Sequence, residues 1–291
     1  MRDVQMKVVA AVDWSEESFA AVEQLAVLYR PEEVVIAHGV DLGLFQSPMV
    51  AQAFSVQGYD DYRRAMMEAG LRVVERARAL LPADIASVKT LCDVEHAATF
   101  IVNQANSLQA DLIIVGTRDP SRVTELLAGS ISHEILLHAG ITTLVVKGNA
   151  RHVSRVLITV EGRDDAARMV RWLTAHPFRT PVNVTVLAVA PPLHQMMEPH
   201  MVVGLQTLTE ENVRRATALV NETAQALTSP SFDTSTDVRV GDPVTTICDV
   251  GASYDLIVTG SHGRTGLDRF LLGSISHGIV HRATTSVLVI R

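Results

Sequence analysis

A long internal repeat governs what this chain can fold into. Residues 129–133 read Gly-Ser-Ile-Ser-His, and the same five-residue string returns at residues 273–277, 144 positions later. Gly116 and Gly260 share that spacing. A period of this length is that of a whole domain and not of a solenoid repeat. Because 291 residues accommodate two domains of ordinary size, we expect two copies of one domain.

Short apolar runs and amphipathic segments alternate in both copies. The predicted strands are 8–12, 34–38, 88–91, 111–115 and 143–146 in the first copy, and 156–160, 182–189, 237–240, 255–259 and 287–290 in the second. This alternation predicts an α/β protein with a parallel, doubly wound sheet in each copy. A short polar linker then separates a first domain, residues 1–148, from a second domain, residues 153–291.

Helical periodicity fills the intervals between these runs. The predicted helices are 15–29, 59–81, 99–107 and 123–138 in the first copy, and 164–174, 209–227 and 244–252 in the second. Ser15 and Thr209 are the expected N-caps, since each precedes two acidic residues. The segments 41–58 and 194–208 are predicted to be long loops.

Composition excludes several classes of function. The net charge is −7 and no basic stripe is present, which argues against a nucleic-acid or membrane-surface binder. No apolar run reaches transmembrane length, and the first residues lack the apolar region of a signal peptide. Cys92 and Cys248 are far apart and favour reduced thiols. We therefore expect a cytoplasmic protein.

A glycine-spaced segment near the C-terminus carries the strongest functional signal. Gly260-Ser261-His262-Gly263 follows the apolar run 256–258, and Gly273 follows after nine more residues. Glycines at the end of a parallel strand let backbone N–H groups approach an anion, and the following helix N-terminus adds further donors. The spacing indicates a phosphate site, although ordinary turn glycines would look the same.

These motifs together resemble the universal stress protein family. The resemblance rests on Asp13 after the first strand, on the glycine segment, and on the closing strand 287–290. It covers nearly the whole chain as two tandem domains. It implies five-stranded, parallel, Rossmann-like sheets of the adenine nucleotide alpha hydrolase type, paired through their last strands as an intramolecular pseudo-dimer. It also implies ATP, with or without magnesium, at the carboxyl ends of the strands.

The resemblance also assigns roles to residues of the second domain. Glu161 would take the place of the aspartate that binds the ribose, Val189 would line the adenine, and the glycine segment would wrap the phosphates. The expected nucleotide-binding residues are Val160, Glu161, Val189, Thr259, Gly260, His262, Gly263, Gly273, Ser274, Ile275 and Ser276. A carboxylate can accept hydrogen bonds from ribose hydroxyls, so the chemistry agrees with these assignments.

The first domain has weaker counterparts of the same site. They are Asp13, Gly116, Gly129, Ser130 and Ser132. Asp119 stands where the second domain has Gly263, and its carboxylate would lie near the phosphates at a cost of a few kcal/mol. We therefore predict that the second domain is the better ATP site and that the first is weak or silent.

No set of catalytic residues emerges from the sequence. There is no P-loop string and no nucleophile with a base beside it. We expect an ATP-binding protein with a regulatory role in stress resistance, no dedicated catalysis, an unidentified protein partner and, as an open point, homodimerisation. Two alternatives remain: a protein-interaction module that binds no nucleotide, and a slow ATPase or autophosphorylating protein acting through Ser274.

Metal binding is not expected. His194, Met196, Met197, His200 and Met201 together could suggest copper, but a covering apolar segment, a lid or a partner surface is the favoured interpretation. His133 and His277 occupy equivalent helix positions and are expected to pack against neighbouring structure, with a phosphate-side or proton-transfer role as the alternative.

Overall fold

The chain forms two compact units, Met1–Ala150 and Arg151–Arg291. The computed structural model describes residues 6–43, 56–117, 130–191, 205–261 and 272–291.

The first unit is a five-stranded parallel sheet with helices between the strands. Its strands are β1 (Lys7–Ala11), β2 (Glu33–Gly39), β3 (Ser87–Asp93), β4 (Leu112–Thr117) and β5 (Thr143–Lys147). Its described helices are α1 (Glu16–Leu28), α2 (Val56–Arg78), α3 (Ala97–Leu108) and α4 (Ser130–His138). The strand order is β3-β2-β1-β4-β5, and every pairing is parallel.

The second unit repeats this architecture. Its strands are β6 (Arg155–Thr159), β7 (Val182–Ala190), β8 (Phe232–Val240), β9 (Leu256–Gly260) and β10 (Ser286–Ile290). Its described helices are α5 (Arg163–Ala175), α6 (Leu205–Leu227), α7 (Pro243–Gly251) and α8 (Ser274–Arg282). The strand order is β8-β7-β6-β9-β10, again parallel throughout, which confirms the predicted doubly wound α/β fold.

The sheet of each unit supplies most of its core. The strands β4, β5, β9 and β10 are almost wholly buried, because helices cover both faces of a doubly wound sheet. Continuous apolar runs rather than alternating patterns therefore marked these strands in the sequence. Chain order reverses between β1 and β4 and between β6 and β9, and ligands bind at such switch points, outside the carboxyl ends of the strands.

Local signals at the helix ends were partly right. Ser15 is the N-cap of α1, and its hydroxyl accepts a hydrogen bond from the Ser18 N–H, as predicted. The Thr209 cap is wrong, because α6 begins at Leu205 and runs through that position. The helix α2 likewise begins at Val56, before the predicted start at Tyr59. The extension of α2 contains a glycine that the helix tolerates, and that of α6 contains two leucines, which favour helix.

The edge strand β8 is also longer than expected. It begins at Phe232, five residues before the predicted start at Asp237. Phe232 is buried and pairs in register with Val182, but the intervening Asp-Thr-Ser-Thr sequence is polar because much of this edge strand faces solvent.

Some predictions fall outside the described residues. The part of the predicted helix 123–138 that precedes residue 130 is one, and most of the loops 41–58 and 194–208 are others. The pairing of the two domains through their last strands stays a prediction. Within the described ranges, no helix is both long and apolar enough to cross a membrane.

Candidate functional site

The candidate site lies at the switch point of the second unit. Strands β6 and β9 are neighbours, with Thr159 opposite Thr259, so the segments that follow the two strands meet at one edge of the sheet. The Val160 N–H donates to Leu187 O at 2.9 Å, which fixes the segment after β6 against β7. Glu161 is the next residue, two positions after the carboxyl end of β6.

A cavity of about 270 Å³ opens beside Glu161. It is lined by the segment after β6, the end of β7 and the residues just after it, the start of α5 and one face of α6. Its lining residues are Val160, Glu161, Gly162, Arg163, Ala188, Val189, Ala190, Pro191, Asn212, Arg215, Ala216, Ala218 and Leu219. Apolar walls with a few polar groups at the rim are typical of small-molecule sites.

Glu161 is the unpaired charge at this cavity. Its half-buried carboxylate makes no hydrogen bond or ion pair with any residue that the structure describes. The neighbouring cations are already paired, since Arg163 bonds Glu222 at 2.7 Å and Arg215 bonds Glu211 at 2.9 Å. The hydrogen bond from Arg215 lowers the pKa of Glu211 below its usual value. Glu161 therefore keeps its full capacity to accept hydrogen bonds from a ligand.

The end of β9 is held tightly against neighbouring elements. A Cβ added to Gly260 would lie 2.0 Å from Asp165 Oδ1 on α5, so the strand end requires glycine here. The Ser276 hydroxyl donates to Gly260 O at 2.5 Å, and the Gly273 N–H donates to Ser261 O at 2.7 Å. These two bonds place the start of α8 directly beside the end of β9.

The first turn of α8 offers open backbone donors. Gly273 is its N-cap and supplies no side-chain cap. In the described part of the chain, no group accepts a hydrogen bond from the N–H of Ser274, Ile275 or Ser276. Such donors, together with the positive end of the helix dipole, attract phosphate and carboxylate groups. This turn is therefore suited to an anion.

The structure brings the predicted residues together in two adjacent groups. Val160, Glu161 and Val189 line the cavity. The second group, Thr259, Gly260, Gly273, Ser274, Ile275 and Ser276, forms the junction of β9 and α8. Ser276 is buried and its hydroxyl proton is used within the protein, which leaves its N–H as its open donor. His262 and Gly263 lie outside the described residues.

In the first unit, the counterpart of Glu161 is engaged locally. Asp13 Oδ1 accepts hydrogen bonds from both the N–H and the hydroxyl of Ser15, the N-cap of α1. The Asp13 N–H is itself bonded to the Ser18 hydroxyl. The carboxylate therefore has a structural role at the helix start that Glu161 does not have.

Two aromatic rings also distinguish the first unit. Val12 N–H donates to Ala37 O just as Val160 N–H donates to Leu187 O, so the two sites can be matched position by position. On that match, Trp14 and His38 stand where the second unit has Gly162 and Ala188. The two rings pack edge to face with their centroids 5.3 Å apart, and His38 Nδ1 lies 2.8 Å from Val12 O. In the first unit, Trp14 and His38 therefore stand at the positions where Gly162 and Ala188 line the cavity of the second unit.

The remaining first-unit residues are placed only in part. Gly116 is the penultimate residue of β4, and a Cβ there would lie 2.1 Å from Glu17 O, which matches the close approach at Gly260. Ser132 is buried in α4. Gly129 and Asp119 lie outside the described residues, as does the side chain of Ser130.

Sequence reasoning missed one whole wall of the cavity. Asn212, Arg215 and Leu219 face it from α6, at helical spacing that the sequence shows but does not orient toward a ligand. Ala188 and Gly162 were missed for another reason, since a small residue gives no chemical signal of its own. Comparison with His38 and Trp14 across the repeat was the signal that could have found them.

Comparison with known proteins agrees with this architecture. The family model for the universal stress protein family matches twice, at residues 6–147 and 152–291. The chain belongs to the universal stress protein family. Both copies are complete enough for each half to match separately, which accounts for the repeat of 144 residues.

Relatives in this family share the tandem arrangement. A universal stress protein of Mycobacterium tuberculosis is 26% identical over 99% of this chain and 97% of its own length. One from Mycolicibacterium smegmatis is 29% identical over 70% of this chain and 69% of its own. The crystal structure of a universal stress protein from Archaeoglobus fulgidus superimposes with a TM-score of 0.64 at 16% identity, covering 98% of both chains. This last likeness supports the fold.

Proposed function

We propose that the chain is an ATP-binding universal stress protein whose nucleotide is held mainly by the second domain. The carboxylate of Glu161, which lines the cavity and pairs with no described residue, carries this proposal together with the open donors of the first turn of α8. An adenine nucleotide has a base, two ribose hydroxyls and a phosphate chain. The second unit offers a complementary group for each of these parts.

Each part of an ATP molecule would contact a different group of residues. The base would enter the cavity against Val160 and Val189, where apolar walls favour a flat ring system. The ribose hydroxyls would donate to Glu161. The phosphates would accept hydrogen bonds from the N–H groups of Ser274, Ile275 and Ser276. Magnesium would arrive with the phosphates, which bind this ion together with water.

The same groups support the ranking of the two domains. In the first unit, Asp13 is already bonded to Ser15, and the rings of Trp14 and His38 occupy the cavity-lining positions. A nucleotide there would have to displace the buried ring of His38 and compete with a helix cap. We propose that the first domain serves mainly as the structural partner of the second.

A regulatory role follows from the chemistry that is present. No described residue near Glu161 forms a nucleophile with a base beside it, so nucleotide occupancy rather than turnover is the proposed signal. The protein partner, homodimerisation and cytoplasmic location stay predictions.

The direct test is to ask what the purified protein carries. The full chain is denatured, and the released small molecules are identified by absorbance and mass spectrometry. Nucleotide-free protein is then titrated with ATP by calorimetry, with and without magnesium. We expect one ATP per chain.

Two outcomes would contradict the proposal. Absence of both bound nucleotide and ATP uptake would favour the protein-interaction alternative. Two equivalent ATP molecules per chain would contradict the ranking of the domains. Slow ATP hydrolysis that is lost on Ser274→Ala would instead support the ATPase alternative.

A further inference from the structure

We infer that α8 carries a transition-metal site formed by His277 and His281, separate from the proposed nucleotide contacts. The two residues are four positions apart on one helix, so their side chains project from the same face on successive turns. Their ring centroids lie 4.3 Å apart with the planes tilted by 48°. This juxtaposition of two imidazoles is the observation on which the inference rests.

The distance between the rings suits shared coordination. The ligating nitrogen atoms of His277 and His281 lie within 4.8 Å of each other. A metal bound at about 2.0–2.1 Å from each nitrogen needs the two to approach to roughly 3–3.5 Å. Small rotations about the side-chain torsions supply that change. Histidines at this helical spacing bind zinc in the helices of many metalloproteases.

The helix that presents the pair is fixed on its other side. Gly278 packs so closely on α7 that an added Cβ would lie 2.8 Å from Val244. Ile279 and Val280 are buried. Both histidines, in contrast, are half-buried. A rigid helix therefore holds the two imidazoles together, which lowers the entropy lost on chelation.

The type of ligand sets the type of metal. Imidazole nitrogen is a borderline donor that suits Zn²⁺, Cu²⁺ and Ni²⁺, whereas Mg²⁺ and Ca²⁺ prefer oxygen. Two imidazoles leave further coordination positions for water or for another ligand. Of these ions, the Irving–Williams order places Cu²⁺ as the tightest. The proposed ligand is therefore a divalent ion of the late first transition row.

The internal repeat provides a natural variant. The residue of the first domain that corresponds to His281 is Leu137. That copy of the helix keeps its fold with leucine at this position, within α4. Hence His281→Leu removes one ligand through a change that the same helix type already tolerates.

The test uses the full-length protein after removal of metal with a chelator. Zn²⁺ and Cu²⁺ are titrated into wild type, H281L and the control H152L by calorimetry. His152 is exposed and lies in the linker, so H152L loses an imidazole outside the pair. We expect saturable uptake by wild type, at least tenfold weaker binding by H281L, and unchanged binding by H152L.

A spectroscopic readout keeps the inference testable if H281L folds poorly. The Cu²⁺ complex of wild type should show electron paramagnetic resonance couplings from imidazole nitrogen, and the milder variant H281Q should lose part of them. Equal affinity of wild type and H281L would overturn the inference. So would the absence of Zn²⁺ and Cu²⁺ uptake by wild type, or a Cu²⁺ spectrum without imidazole couplings.

Discussion

Transplanting the two aromatic rings of the first domain into the second should strongly weaken the proposed nucleotide binding. The variant G162W/A188H places in the second unit the residues that the first unit carries as Trp14 and His38. We expect it to fold. A Cβ on Gly162 meets no atom within 4 Å, and its φ of −149° is ordinary extended backbone. The new imidazole would find the carbonyl of Val160, as His38 finds that of Val12.

The expected loss of affinity follows from the apolar contact area that the base would no longer bury in the variant. A two-ring aromatic system buries about 150 Å² or more. At about 25 cal/mol per Å², that burial contributes about 4 kcal/mol. Because part of a purine is polar, half of this figure, about 2 kcal/mol, is a reasonable minimum. The dissociation constant for ATP should therefore rise by roughly 30-fold at least.

Calorimetric titration of nucleotide-free protein with ATP measures this change. Circular dichroism and thermal unfolding verify that the variant is folded. The matched control is His38→Ala, which removes one ring from the first unit. Because Trp14 and the bonded Asp13 remain there, both the affinity and the stoichiometry of one should stay unchanged. If folded G162W/A188H binds ATP within threefold of wild type, the cavity is not the base site and the reasoning fails.

Three further predictions concern single residues. Glu161→Gln should weaken ATP binding about tenfold or more in a titration, since hydrogen bonds to a charged group contribute about 1.5–3 kcal/mol. Gly260→Ala should lower the free energy of unfolding in urea by about 1–3 kcal/mol, because its Cβ would press on Asp165; full stability in G260A would contradict this. Burial alone would raise the pKa of Asp255, but hydrogen bonds, including those from the N–H and hydroxyl of Ser154, hold it below its usual value. The stability difference between wild type and D255N should therefore be complete at pH 6 and shrink as the pH falls below about 4; a difference that does not change with pH would refute it.

The fold was predictable because its signals are local and repeated. Buried parallel strands appear as continuous apolar runs, as at Leu112–Val115 and Val287–Ile290. Where a strand lies at an edge, the signal fades, and β8 was predicted five residues too short. The start of α6 was placed too late because Thr209 followed by two glutamates satisfies the local rule for a cap. Tertiary packing, which the sequence does not show, selects between such local alternatives.

The candidate site was only partly predictable from the sequence. Glycine spacing pointed to Gly260 and Gly273, and the family resemblance pointed to Glu161. Neither could show that the Glu161 carboxylate pairs with none of the described residues while Asp13 is bound to its own helix cap. That difference depends on which hydrogen bonds form after folding. The two residues have the same chemistry, and only the three-dimensional arrangement separates them.

The contrast between the two domains therefore rests on more than one position. In the sequence, one difference is Asp119, a carboxylate at the position of Gly263 in the proposed phosphate segment. The described residues add independent differences at the proposed base site, in His38 and Trp14, and at the proposed ribose site, in Asp13. If the residues around the proposed base site determine which domain binds ATP, the single substitution Asp119→Gly should leave the first domain without ATP. A gain of a second ATP in Asp119→Gly, measured by calorimetric stoichiometry, would show instead that the phosphate end decides.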